Sequence, residues 1–295
     1  MNTLEIPGRG IEISIPATYD EMTGRQVVYI MQCLAKHRAG LMSIDEFRVR
    51  VLYKLCRIRR TLRSAIRTAW HPETPAQRER RAEQVALLCD QLLGGILEKT
   101  SDGYQIRFDS VRNFWPSVRT GWRRLFGPAE ALLDISFAEF RGASDEMQLY
   151  LQTNDEHHLD RMLACLYRPA GPIQPSGRRV VPYSPDTLDR YANLCRRFKP
   201  WQKQLVLLWF SACVRYMQTG RFVIGSQKIS FAELFSSDTS EKDGDSPGWI
   251  TLLYDLAEKR IFGSIEETDR QGMIEILSLL YHYKKRNDAA ARKHR

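Results

Sequence analysis

Along this 295-residue chain a serine or threonine is repeatedly followed three residues later by glutamate, as at Thr18/Glu21, Ser43/Glu46, Ser136/Glu139, Thr153/Glu156 and Ser230/Glu233. In such a pair the hydroxyl accepts from the backbone N–H three residues on, while the carboxylate accepts from the cap's own N–H. Each pair therefore marks a helix start. Ser184 before Pro185 adds another, with proline at the helical position that needs no N–H. A chain punctuated in this way is predicted to be mainly α-helical.

The apolar residues and the stops fill in the layout. Val27, Ile30, Met31 and Leu34 share one helical face, and Gly40 ends it. Phe47, Val51, Leu55, Ile58, Leu62, Ile66 and Ala69 predict a second helix running toward Pro72, packed on the first as a hairpin. A third helix is expected from Pro75 to Leu93, stopped by Gly94-Gly95. Ile11, Ile13 and Ile15 alternate with polar residues, as do Tyr104, Ile106 and Phe108, so two short strands are expected, each the natural partner of the other. The run N-F-W-P-S-V-R-T-G-W-R-R-L-F-G-P, 113–128, reads as a packed connection, and the domain boundary is placed there.

In the second half, Leu159, Met162, Leu163 and Leu166 form a buried stripe ending at Pro169, and 169–185 reads as a loop. Pro200 to Met217 is apolar almost all round, the pattern of a central helix. Arg221 to Phe231 reads as a β-hairpin. The acidic stretch Ser236 to Ser246 is expected to be an exposed loop and the first site of proteolytic nicking. Helices over 247–260 and 269–288 close the layout. The expected architecture is an α+β region with short strands (1–127), a multi-helix, bundle-like domain with a small β-hairpin (128–288), and a basic disordered tail (289–295).

Lys plus Arg number 44 against 35 Asp plus Glu, a net charge of +9 that permits an anionic partner. Much of the excess sits in Arg48 to Arg67, which holds eight basic residues and no acid. Arg50, Lys54, Arg57, Arg60, Arg63 and Arg67 are the candidate anion-binding face. It is open to two readings: a phosphate-tracking surface, or a solvated face paired with acids of a neighbouring helix or partner. No aromatics interleave on it to stack bases, so nucleic-acid binding there is expected to be weak and sequence-independent.

The six cysteines are scattered without a C-x-x-C pair and read as reduced core thiols, with no metal role. His157 and His158 diverge by about 100° on a helix and cannot share one ion. No H-E-x-x-H, G-x-S-x-G, phosphate-binding loop or dinucleotide fingerprint is present, so no catalytic residue, metal or cofactor is expected. The longest nearly unbroken apolar stretch, Leu205 to Val214, falls short of the roughly 20 residues that cross a bilayer, and a cytoplasmic protein is expected.

Two regions carry a resemblance. The order L-L-D-I-S-F-A-E-F-R from Leu132, then T-N-D-E-H-H-L-D-R-M-L-A-C-L-Y-R-P ending at Pro169, resembles tail-assembly chaperones of long-tailed bacteriophages. So do W-I-T-L-L-Y-D-L-A-E-K-R-I-F-G, Trp249 to Gly263, and E-I-L-S-L-L-Y-H-Y-K-K-R, Glu275 to Arg286. The resemblance implies a non-enzymatic phage or prophage protein that coats a long helical tape-measure protein before tail assembly in the host cytoplasm. Trp249, Leu253, Leu256, Ile276 and Leu280 are the candidate partner-binding residues, lining an apolar channel for an amphipathic helix. The alternatives are a basic nucleic-acid-binding protein and a structural component retained in the virion.

Overall fold

The computed structural model describes residues 1–6, 11–58, 74–101, 103–224, 227–235, 256–258 and 261–293. The fold is mainly α-helical with small antiparallel sheets, as expected, and divides into two compact units, Met1–Ser110 and Val111–Arg295. The division falls before the aromatic stretch at 113–128, not after it, because that stretch is tied to the second unit. The Val111 carbonyl accepts from Ala131 N–H and from the Trp209 indole, both at 2.9 Å, and Asn113 Nδ2 donates to the Pro128 carbonyl at 2.7 Å.

In the first unit β1 (Asn2–Ile6) pairs with β2 (Ile11–Ile15), and β3 (Leu97–Thr100) with β4 (Gly103–Ile106), all antiparallel. The expected pairing of the Ile11 and Tyr104 strands does not form. Each strand instead takes its sequence neighbour, which closes the smaller loop. Helix α1 (Gly24–Arg38) starts later than the Thr18/Glu21 pair suggests, since Thr23 and Gln26 make the reciprocal cap. Glu21 is engaged elsewhere, accepting from the Met1 ammonium and Ala17 N–H at 2.7 Å each.

Helix α2 (Ile44–Leu55) is capped by Ser43 as expected but ends well before Pro72. Arg57 takes a left-handed φ of 56°, and the N–H groups of Arg57 and Ile58 close onto the carbonyls of Lys54 and Tyr53. Gly40 and Leu41 close α1 on His37 and Lys36 in the same way. The last three positions of the expected apolar stripe, Leu62, Ile66 and Ala69, lie outside the described residues. Helix α3 (Pro75–Leu92) buries only Cys89 and Leu92, and α2 packs on both α1 and α3. Beneath them the Ala17 carbonyl occupies the space a β-carbon on Gly95 would need. Gly95→Ala is therefore expected to cost the first unit about 1–3 kcal/mol, the usual range for overpacking, read as an earlier urea midpoint by circular dichroism. An unchanged midpoint would show that the Ala17 turn yields.

The second unit opens with β5 (Ser117–Thr120) and β6 (Arg123–Phe126), which join β7 (Arg168–Ile173) and β8 (Arg179–Val180) in one antiparallel sheet ordered β5-β6-β7-β8. Both stretches read from sequence as connections thus contribute strands. Proline and glycine in β7 concealed it: the register shifts between Ala170 and Ile173, and Gly171 lies so close to the Val180 and Val181 backbone that no side chain fits.

Helix α4 (Phe137–Thr153) carries the Ser136/Glu139 capping box. The next expected box fails, because Thr153 ends α4, its hydroxyl donating to the Leu149 carbonyl, and Asp155 caps α5 (Glu156–Leu166). Helices α6 (Leu188–Cys195) and α7 (Pro200–Thr219) follow, and α7 buries Leu205, Val206, Trp209, Phe210 and Cys213 as a core helix. After β9 (Arg221–Ile224), paired with β10 (Gln227–Ser230), come α8 (Ala232–Phe235), α9 (Ile265–Arg270) and α10 (Met273–Lys293). The expected last helix begins instead at Met273, since Gln271 is extended and bonds the start of α4: Phe137 N–H donates to the Gln271 carbonyl and Met273 N–H to that of Ile135. Residues 289–293, expected to be a disordered tail, continue α10. The acidic stretch 236–246 and most of the helix expected at 247–260 lie outside the described residues.

Candidate interaction surfaces

Of the four basic residues that the structure describes in the basic segment of the first unit, Arg48 and Arg50 pair with acids. Arg48 is buried, its guanidinium paired with Asp90, 3.4 Å from Asp45, and 4.3 Å from the centre of the Tyr104 ring. Arg50 bonds Glu46 at 2.6 Å, and the Lys54 ammonium lies 4.9 Å over the Tyr29 ring. Arg57 falls past the helix end, and Arg60, Arg63 and Arg67 lie outside the described residues. A single cationic stripe needs one continuous helix, and α2 stops at Leu55. Of the two readings, Arg48 and Arg50 follow the one in which the bases pair with acids.

The apolar anchors also fall differently from expectation. Leu256 is 3% exposed and Ile276 0%, so both are core residues closed to a partner. Leu280 is half-buried, while Trp249 and Leu253 lie outside the described residues.

The L-Y-R-P run at the end of α5 is a structural joint. Tyr167 is buried and its hydroxyl donates to the Trp115 carbonyl at 2.8 Å. Arg168, 1% exposed, pairs with Glu139 and donates to the carbonyls of Cys165 and Val181 at 2.6 and 2.8 Å. Arg178, also buried, reaches Glu139 at 3.0 Å and the carbonyls of Phe126 and Leu166 at 3.1 and 2.5 Å. One carboxylate thus serves two guanidiniums out of water, and the same carboxylate caps Ser136 N–H at 3.0 Å. Burial pushes both arginines below their ordinary pKa, and for Arg168 the neighbouring Arg178 charge adds to it. No spacing signal links residues 139, 168 and 178, which is why sequence reasoning missed the cluster.

His158 Nδ1 sits 2.8 Å from Glu146 Oε2, and Arg161 holds the other oxygen of Glu146 at 2.5 Å. Among the described residues no group of three His, Cys, Asp or Glu is arranged to hold a metal ion. All six cysteines are buried free thiols, and burial pushes those of Cys165, Cys195 and Cys213 up.

The most unusual surface is the β5–β6 hairpin. Val118 and Leu125, opposite each other, are buried, which turns Arg119 and its cross-strand partner Arg124 outward side by side. Gly121, at a φ of 61°, and Trp122 make the turn, and Trp122 is 103% exposed. Arg123 follows it, and the Arg197 guanidinium reaches to 3.5 Å from where a Gly121 β-carbon would stand. All four arginines are exposed or at the turn, and among the described residues none of them forms an ion pair. The signal was present in V-R-T-G-W-R-R-L, two alternating runs about a glycine-containing two-residue turn, but the flanking prolines masked it.

No protein-family model, curated protein or solved structure matches the chain. No helix among the described residues is long and apolar enough to cross a membrane.

Proposed function

We propose that the chain is a non-enzymatic assembly factor of phage or prophage tails, whose second unit binds and shields a long helical partner. The observation that carries this reading is the meeting of the resembling regions. The run beginning at Leu132 and the C-terminal helices are joined through the backbone bonds of Ile135 and Phe137 with Met273 and Gln271, and by Arg141 with Asp269 at 2.9 Å. Helix α10 also packs on α4. Regions far apart in sequence thus act as one body, as a shared family domain requires.

In this reading α4 to α7 and α10 form a bundle-like domain whose outer face takes the client. Leu151 on α4 and Tyr283 on α10 are its exposed anchors, 65% and 38% exposed, in place of the buried Leu256 and Ile276. The mechanism is shielding: apolar stripes on the client that would otherwise self-associate are covered until assembly. Co-expression of the full chain with the long helical product of a neighbouring gene, followed by size-exclusion chromatography, tests it. A soluble co-eluting complex, weakened by Leu151→Asp, is the expected result. A client that stays insoluble in the presence of the folded chain would overturn the proposal.

A further inference from the structure

We propose that the β5–β6 hairpin tip is a binding site for single-stranded nucleic acid, with Trp122 stacking on an unpaired base and Arg119, Arg123, Arg124 and Arg197 holding the flanking phosphates. Three features of the hairpin support it. Trp122 gives the fold no burial, being fully exposed at a turn whose glycine alone meets the left-handed φ. An apolar ring of that size left in water contributes nothing to stability and is ready for a partner.

Arg119 and Arg124 stand directly opposite each other in the register. Like charges at such positions oppose strand pairing. Their placement is unfavourable for the isolated hairpin and favourable only when an anion lies across both.

The third feature is Arg197, which comes from the segment after α6 and brings a further cation to the turn at Gly121, so the charge there is not confined to the two strands.

The chemistry selects among polyanions. A duplex offers phosphates, but its bases are already stacked on each other, so the indole gains nothing from it. A single strand offers both a phosphate track and free base faces, the combination that aromatic and basic side chains recognise together. An anionic membrane surface would also attract the arginines, yet beside Trp122 the tip offers only glycine, threonine and arginine, too little apolar area to enter the headgroup region.

The test uses the full chain and fluorescence anisotropy of a labelled oligothymidylate of about 20 nucleotides, a length that spans several stacking sites. Trp122→Ala is expected to weaken binding about tenfold, within the range of one lost base stack, and to leave the slope of log K against log salt unchanged. Trp122→Phe should restore most of the loss. The double variant Arg119→Ala/Arg124→Ala should instead flatten the slope by about 1.4, from about 0.7 per phosphate contact on a single strand. Because these side chains face solvent, thermal melting should not be lowered in any of the three, and relief of the like-charge pair can only raise it in the double variant. The proposal is overturned if the duplex of the same length binds as well as the single strand, or if Trp122→Ala binds like the parent chain. It is equally overturned if only phosphatidylglycerol vesicles are bound, or if no binding occurs at low salt.

Discussion

Replacing Glu139 with alanine is expected to destabilise the second unit by about 3–5 kcal/mol, the range seen when one partner of a buried ion cluster is removed. The variant would leave Arg168 and Arg178 out of water with no counter-charge between them, and Ser136 N–H without its acceptor. Glu139→Gln separates the two effects, since the amide oxygen still accepts from the cap while the negative charge is gone. Its loss should be nearly as large if charge dominates, and only a small part of it if the cap does, because the cap is kept. Urea unfolding followed by circular dichroism measures both. Replacing all three residues by apolar ones is not expected to recover the parent stability. Here the two guanidiniums also donate to the carbonyls of Cys165, Val181, Phe126 and Leu166, which would be orphaned in the triple variant. A triple variant as stable as the parent would show that those carbonyls find other donors.

Trp209→Ala is the second large effect, again about 3–5 kcal/mol, because a side chain 2% exposed on the central helix α7 is removed to the β-carbon. Trp209 does more than fill space. Its indole N–H holds the Val111 carbonyl at 2.9 Å, at the point where the second unit begins. Trp209→Phe keeps most of the ring and loses that bond, and should cost about 1 kcal/mol beyond the volume change. Midpoints in urea that do not differ between the two variants would mean that the ring volume is not limiting, since both variants lose the indole bond.

Local punctuation was legible where a cap met no competitor. Ser43 and Ser136 cap the helices expected of them, and Pro200 opens a helix as apolar as its sequence suggests. Thr18 and Thr153 carry the same pattern and fail, because Glu21 is recruited by the chain terminus and Asp155 lies closer to the next helix start. Non-local pairing was the hidden part. β7 contains two prolines and a glycine, which by local rules is a loop, and it becomes a strand because β6 and β8 lie on either side of it. The arginine cluster and the Arg197 approach to Gly121 arise only once distant segments meet, so composition and spacing carried no trace of them. Trp122 is the opposite case, legible as a turn residue but read as part of a packed aromatic run.

The clasp between α4 and the last helices has a consequence for how the protein is made. Arg141 and Asp269 are 128 residues apart, and the backbone bonds beside them span a similar length of chain. At roughly 5–20 residues per second on the ribosome, α4 waits on the order of 6–26 s before its partner segment is translated. Over that interval the nascent second unit holds an open edge at Ile135–Phe137, and any product that terminates before Asp269 keeps it open permanently. Ribosome pausing in the stretch between α7 and α9 would lengthen the exposed interval, while residues 1–110 have already been synthesised in full.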